Sequence, residues 1–289
     1  MINELGEIST SGGVLLKMWE VIVQSGSRPL VRHSHIRFEI TLITSGSGIY
    51  TVGDKKYAIK PYEIFIFASN EQHCVTEVGK GGLKMINLHF EPRYLWGRSF
   101  DRLSNVNTNF CFQHSPNFEN CIPADRARQI RGLFTSAAEE FSKKGPEYAL
   151  QIKSLLNMII VALIRDFGYF DGALSAPTDK NRIIRKATEY IDTHFQENLT
   201  LETLARLSGL TPNYFSSLFS KVSGIKLWDY INSRRIEAAM QLLKSESNLN
   251  IIEIASKCGF NNTANFNKAF KKTVGITPGE YRLNDNIII

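Results

Sequence analysis

The run His33-Ser34-His35-Ile36-Arg37-Phe38-Glu39 sets two imidazoles and a carboxylate at alternate positions. In an extended chain alternate residues share a face. His33, His35, Arg37, Glu39 and Thr41 then line one side, and Phe38, Ile40 and Leu42 the other. Downstream, His73 follows the turn-forming Ser69-Asn70-Glu71-Gln72, and His89 alternates with Met85 and Asn87. Three imidazoles and a carboxylate meeting at one point (His33, His35, Glu39 and His73) form a competent set for a transition metal. The same groups can line a pocket for a small organic molecule, with His89 beside them and Trp19 as a ring to stack on. In a third reading they only satisfy one another.

A second constellation lies between Thr200 and Arg282. Leu204-Ala205, Gly209-Leu210, Phe215, Phe219, Lys221 and Gly224-Ile225 recur as Ile254-Ala255, Gly259-Phe260, Phe266, Phe270, Lys272 and Gly275-Ile276. The offset is 50 residues up to the glycine and 51 after it, so the second copy carries one extra residue in its turn. Each copy reads as a helix, a tight turn at glycine and a second helix. Thr200 caps the first helix, and Thr211-Pro212 restarts the chain with a cap and a first-position proline. Phe215, Leu218, Phe219 and Val222 point inward, while Asn213, Ser216, Ser217 and Ser220 point out. In the second copy Phe266, Ala269 and Phe270 point inward, and Thr263, Asn267, Lys268 and Lys271 point out. Small polar outer faces suit entry into a DNA major groove. The amphipathic stretch Leu227 to Lys244 joins the copies and spans about 27 Å as a helix. That is of the order of one DNA repeat, about 34 Å. Lys221, Lys271, Lys272 and Arg234 are candidate phosphate contacts.

Other elements must position these groups. Val14 to Pro92 reads as short strands broken by Ser45-Gly46-Ser47-Gly48, Gly53-Asp54 and Gly79-Lys80-Gly81-Gly82, a pattern for a sandwich or small barrel. The strands expected are Leu15–Val23, Phe38–Ile43, Ile49–Val52, Lys56–Ile59, Ile64–Phe67, Cys74–Val78 and Leu83–Phe90, with a late one around Phe110–Phe112. From Pro123 the apolar period becomes helical. One helix carries Ile130, Phe134, Ala137, Ala138 and Phe141, and a second runs from about Glu147 to Phe167. The second is apolar on more than one face, so it has two things to pack against. A homodimer seam through Ile152, Leu155, Ile159 and Ala162 is expected.

The chain has 289 residues, enough for two domains. Its formal charge of +6 suits an anionic partner such as nucleic acid. Its four cysteines (Cys74, Cys111, Cys121 and Cys258) lack metal-type spacing and read as reduced thiols of a cytoplasmic protein. Met1 to Gly13 lacks an apolar signal core, and the apolar run Leu155 to Ile164 is short for a bilayer.

The order His33-x-His35, Glu39, Gly46 resembles the first motif of the cupin superfamily, a small jelly-roll barrel. The second motif is weaker, because Pro61-Tyr62-Glu63 stands where Pro-x-Gly is expected and only His73 is clear. In metal-dependent cupins the corresponding three histidines and glutamate hold an ion. Residues 182–282, including Arg235-Ile236 and the closing Gly275-Ile276-Thr277-Pro278-x-Glu280-Tyr281-Arg282, resemble the DNA-binding domain of the AraC/XylS family of bacterial transcription factors. By that resemblance base contacts fall on Asn213, Ser216 and Ser217, and on Thr263, Ala264, Asn267 and Lys268. Many relatives carry arginine where Ser217 stands, and serine cannot make arginine's bidentate contact to guanine. In such regulators the barrel often keeps the His-x-His and Glu as a remnant without metal.

The expectation is therefore a multidomain protein. Residues 1–122 form a β-rich, cupin-like jelly-roll ligand-sensing domain, 123–170 a helical dimerisation segment, 171–180 a linker, and 181–289 an all-α domain with two helix-turn-helix units. The expected function is a cytoplasmic, homodimeric transcription regulator and not an enzyme. It has no cofactor and no membrane contact, and it binds double-stranded operator DNA and a small, sugar-like effector. RNA polymerase is a further partner if the protein activates. The ligand pocket is His33, His35, Glu39, His73 and His89. The rivals are a metal-dependent cupin enzyme fused to a DNA-binding domain, and a barrel that only oligomerises.

Overall fold

A computed structural model describes residues 1–10, 13–26, 32–35, 37–69, 71–91, 94, 114–169, 179–223, 225–245 and 248–283. Among the described residues the front half holds one seven-stranded antiparallel sheet. Its strands are β1 (Ile2–Thr10), β2 (Gly13–Val23), β3 (Phe38–Val52), β4 (Lys55–Ile59), β5 (Ile64–Phe67), β6 (His73–Phe90) and β7 (Cys121–Ile122), in the order β1-β2-β6-β3-β5-β7 with β4 paired to β3.

Two pairs of expected strands are continuous. Phe38–Ile43 and Ile49–Val52 belong to β3, and Cys74–Val78 and Leu83–Phe90 belong to β6. The glycine-rich segments between them bend the strand pair without breaking it. Gly46 sits opposite Leu83 and Gly48 opposite Val78, with register shifts on either side. Such bulges with glycine sharpen the twist and fold a long ribbon over on itself. The first half of β3 then pairs with β5 and the second half with β4. Gly46 has φ 91°, and a Cβ there would stand 2.1 Å from the Gly82 carbonyl oxygen.

β1 is absent from the sequence-based expectation, because its polar residues mask the alternation. It pairs with β2 along its length and lays Leu5 and Ile8 against the core. The late strand expected around Phe110–Phe112 lies outside the described residues, as does the expected linker up to residue 178.

Strand alternation divides the sheet into two apolar faces. Leu16, Met18, Phe38, Ile40, Leu42, Ile64, Ile66, Leu88 and Phe90 pack beneath α1 (Arg128–Lys143) and α2 (Tyr148–Asp166). Val21, Val23, Ile43, Tyr50, Val52, Phe65, Phe67, Val75, Leu83 and Met85 pack against one another on the opposite face. Each fully buried side chain of this size contributes about 1.5–3 kcal/mol.

The expected dimer seam is instead part of this core. Ile152, Leu155, Ile159 and Ala162 are 0%, 8%, 0% and 3% exposed. The outer face of α2 presents Leu150, Met158 and Val161, at 60%, 53% and 39% exposure. The helix has a mean hydropathy of 1.4 and is long and apolar enough to cross a membrane. Packing of one face on α1 and the sheet accounts for much of that apolarity.

The back half is helical: α3 (Asp179–His194), α4 (Leu201–Leu207), α5 (Pro212–Ser223), α6 (Leu227–Ser245), α7 (Ile251–Lys257), α8 (Thr263–Val274) and α9 (Pro278–Leu283). α4–α5 and α7–α8 are the two helix-turn-helix units. Thr200 caps α4 by accepting from Thr203 N at 3.1 Å. Asn250 and Glu253 form a full capping box on α7, a signal the sequence reading missed. Gly209 and Gly259 take positive φ at the turns, 66° and 84°. The extra residue falls where the offset placed it, since α5 starts three residues after its glycine and α8 four after its own. The helix α6 is shared by two cores. Leu227, Tyr230 and Ile231 pack with Phe215 and Phe219, and Ile236, Ala239 and Leu243 pack with Phe266 and Phe270.

The bend glycine gives a stability test by urea unfolding. Gly53 also has positive φ (55°) but open space around its Cα, so Gly53→Ala is expected to cost about 1–2 kcal/mol. Gly46→Ala adds a backbone collision and is expected to cost clearly more, about 3 kcal/mol or above. Equal losses would show that the bend tolerates a side chain.

Candidate functional site

The first site is a polar cluster inside the sheet domain. Glu39 lies on β3 directly opposite His89 on β6, and the sheet seals its carboxylate to 1% exposure. One oxygen, Oε2, is the hub. It stands 3.0 Å from His35 Nε2, 3.0 Å from His73 Nε2 and 2.7 Å from His89 Nε2. The other oxygen accepts from Thr41 Oγ1 at 2.6 Å. His33 joins through backbone pairing, as its N donates to the His73 carbonyl at 3.2 Å and His73 N donates back at 3.0 Å. The structure thus brings together His33, His35, Glu39, His73 and His89. Phe67 stacks on the His73 ring at 4.0 Å, and Trp19 meets His89 edge-on at 4.4 Å.

Protonation follows from what the other ring nitrogens face. His35 Nδ1 is 2.8 Å from the Arg37 carbonyl, and His73 Nδ1 is 2.8 Å from the Glu71 carbonyl. A carbonyl only accepts, so both Nδ1 atoms carry hydrogen. Each Nε2 in the neutral ring is then a bare lone pair aimed at a carboxylate. That contact needs a cation, either a second proton on the ring or a metal ion between the donors. Burial works against the charge on Glu39, but the charge of His73 and hydrogen bonds from His35 and His73 outweigh it and hold its pKa well below the usual range. Burial also disfavours protonated His73, yet the charge of Glu39 and their hydrogen bond raise that imidazole overall. His89 goes the other way. Burial, aided by His35 and Arg37, pushes it down to about 3 against the pull of Glu39.

The set fits a metal as well. One ligand atom from each of His33, His35, Glu39 and His73 lies within 4.8 Å of the other three. The Nδ1–H to carbonyl contacts are the outer support that metal-ligating histidines use. These four residues would hold the ion, and it would supply the missing positive charge.

A cleft of about 370 Å³ opens beside the cluster. Trp19, Arg37 and His89 form its barrel wall, and Glu237, Gln241 and Lys244 of α6 form the opposite one.

The second site is the pair of helices α5 and α8. On α5, Asn213, Ser217 and Lys221 are exposed and Ser216 is half-buried. Tyr214, which sequence reasoning passed over, adds an exposed ring at 46%. On α8, Ala264, Asn267, Lys268, Lys271 and Lys272 are exposed and Thr263 is half-buried. Phe215 and Phe219 anchor one helix and Phe266 and Phe270 the other, all at 0% exposure. Lys272 reaches Asp229 of α6 at 2.8 Å, with both side chains open to solvent.

Arg234 stands apart from the other cations. It is 5% exposed and held by three carboxylates, Glu91 at 2.7 Å, Glu237 at 2.9 Å and Asp192 at 3.0 Å. Expected as a phosphate contact, it is turned into the seam between the two halves, where its charge is already matched. The residues that hold it there, Glu91, Asp192 and Glu237, carry no periodic or motif signal. Arg235, matched to the family, is also structural, and it donates to the Phe195 and Glu197 carbonyls at 2.7 and 2.9 Å.

Comparison with known proteins follows the same division. A model of the AraC-like ligand binding domain matches residues 26–160, and one of a helix-turn-helix domain matches residues 204–284. The regulatory protein PocR of Salmonella typhimurium is 34% identical over 137 residues, 47% of this chain, and the chain spans 45% of PocR. The transcriptional activator AarP of Providencia stuartii is 37% identical over 107 residues, 37% of this chain and 78% of AarP. The solved structure of ToxT from Vibrio cholerae shares the fold, with a TM-score of 0.65 over 93% of this chain and 98% of ToxT, at 14% identity. The chain belongs to the AraC family of transcriptional regulators, an AraC-like ligand-binding domain followed by an AraC-type helix-turn-helix DNA-binding domain.

Proposed function

We propose that this chain is a cytoplasmic, homodimeric regulator that binds operator DNA through α5 and α8 and responds to a small polar effector at the barrel cluster. The observation that carries the sensing role is the cluster itself, four histidines and a carboxylate buried together beside a cleft that faces the DNA-binding domain. Burying a charge costs several kcal/mol unless it is matched. A barrel that only oligomerises gains nothing from that cost. Donors, acceptors and the Trp19 ring at one spot suit a hydroxyl-rich, sugar-like molecule. ToxT has been solved with an unsaturated fatty acid bound, which supports an organic effector for this fold. The effector acts by binding one arrangement of the two domains better than another.

A second reading has a specific observation behind it. The fixed Nδ1–H contacts of His35 and His73 favour a metal ion among His33, His35, Glu39 and His73. In that case the ion is a structural or regulatory component, and elemental analysis of the purified protein separates the two readings.

For DNA, the outward-facing groups divide unequally. α8 offers Asn267, Lys268 and Lys271, while α5 offers Asn213 and serines 216, 217 and 220. The stronger base contacts are assigned to α8. Lys221, Lys271 and Lys272 take phosphates, and Arg234 leaves that group. The free thiols of Cys74, Cys121 and Cys258 support a reducing compartment. The exposed apolar stripe on α2 supports pairing with a second copy.

Asn267→Ala is expected to cost about 1–3 kcal/mol on operator DNA, measured by titration, and almost nothing on random duplex; equal losses on both would remove Asn267 from base reading. His35→Ala should abolish thermal shifts given by sugars or metal ions in the full chain. A retained shift would move the effector elsewhere. Met158→Glu should turn the dimer into a monomer in sedimentation, whereas an unchanged dimer would exclude the α2 stripe as the seam.

A further inference from the structure

The cluster lies on the strand pair whose end adjoins the seam between the domains. β3 and β6 run antiparallel with Glu39 opposite His89 and Phe38 opposite Phe90. Arg37 and Glu91 are the residues next to the terminal pair of that ladder, and Arg37 Nη2 lies 4.0 Å from Glu91 Oε1. Residues two apart on a strand leave from the same face. Arg37 and Glu91 therefore extend the side that carries Glu39 and His89, about 7 Å further along. The DNA-binding domain meets them there. Arg234 of α6 donates to Glu91 at 2.7 Å and to Glu237 at 2.9 Å. Arg37 Nη2 lies 3.9 Å from Glu237. A second contact crosses the seam next to the cluster, where Ser34 N, between His33 and His35, donates to the Thr273 carbonyl in the last turn of α8 at 3.2 Å.

We infer that Arg37, Glu91, Arg234 and Glu237 form an interdomain latch, and that the state of the cluster reaches α6 through the 39/89 pair and the Arg37–Glu91 contact beyond it. The second half of this inference rests on the cluster being the effector site. A buried ion pair loses far more when one partner is removed than an exposed pair does, so the latch has two states, engaged or open. An occupant that changes the spacing of Glu39 and His89 changes the spacing of Arg37 and Glu91. It thereby moves the carboxylate that Arg234 holds. Because α6 also joins the two reading units, the latch acts on the element that sets their separation.

The test is hydrogen exchange in the full chain. Glu91→Gln lies on the barrel side and leaves the Arg234–Asp192 pair inside the DNA-binding domain intact, so this variant keeps its fold. Exchange of α6 amides from residue 234 to 241 is expected to rise about tenfold or more, with α4 and α7 unchanged. Glu91→Asp, which keeps the charge, should restore part of the protection. Glu39→Gln in the cluster should also raise α6 exchange in the native background, yet add nothing on top of Glu91→Gln. Unchanged α6 exchange in Glu91→Gln would overturn the latch. Additive effects of the two variants would overturn transmission from the cluster. Absence of any sugar or metal binding would sink the effector reading alone, because the Glu91→Gln result does not depend on it.

Discussion

A carboxylate sealed from water must be met by donors, and Glu39 at 1% exposure is such a group. Much of the front half can be read as the means of meeting it. The bend at Gly46 and Gly82 lets β3 and β6 run as one long ribbon, which puts Glu39 opposite His89. The bridge between His33 and His73 pins the segment before β3 against the start of β6 and brings the imidazoles of His35 and His73 to the same oxygen. Carbonyl groups of Arg37 and Glu71 fix the tautomers. The result is a site that is short of positive charge unless a proton or a metal ion enters.

The same economy appears at the seam. Arg234 sits among Glu91, Asp192 and Glu237, one carboxylate from the barrel and two from the helical domain. In this arrangement it cannot also hold DNA. Its burial joins a strand that carries the cluster to the helix that joins the reading units. The joining helix was expected from its length alone; its second role as the docking surface follows only from the folded geometry.

The sequence made the local facts legible and left the long-range ones hidden. The helix-turn-helix repeat was readable because it is written in nearby residues: Gly209 and Gly259 at the turns, Phe215/Phe219 and Phe266/Phe270 beneath, and one extra turn residue in the second copy. The cluster was half readable, since alternation placed His35 and Glu39 on one face but gave no means of pairing Glu39 with His89, 50 residues away in sequence. Glycine was misread twice as a strand end where it marks a bend. β1 escaped because an edge strand needs little apolar signal. On α2 the apolar residues were identified, but their sides were exchanged. A helix apolar on more than one face does not reveal which face the same chain covers, so Ile152 and Ile159 were assigned to a partner although their own domain buries them. Arg234 shows the limit most clearly, because nothing in residues 227–245 announces that Glu91 will be waiting 143 positions earlier.

On the proposed function, one duplex is read by two unequal units held apart by α6. The most direct measurement is selection of binding sites from random DNA by the intact chain, followed by footprinting of the recovered duplex. The account predicts two protected half-sites on one face of the DNA, about 10–10.5 base pairs apart, with the sharper base preference in the half-site that Asn267→Ala disrupts. A single protected half-site, or a recovered pool with no enriched sequence, would contradict it.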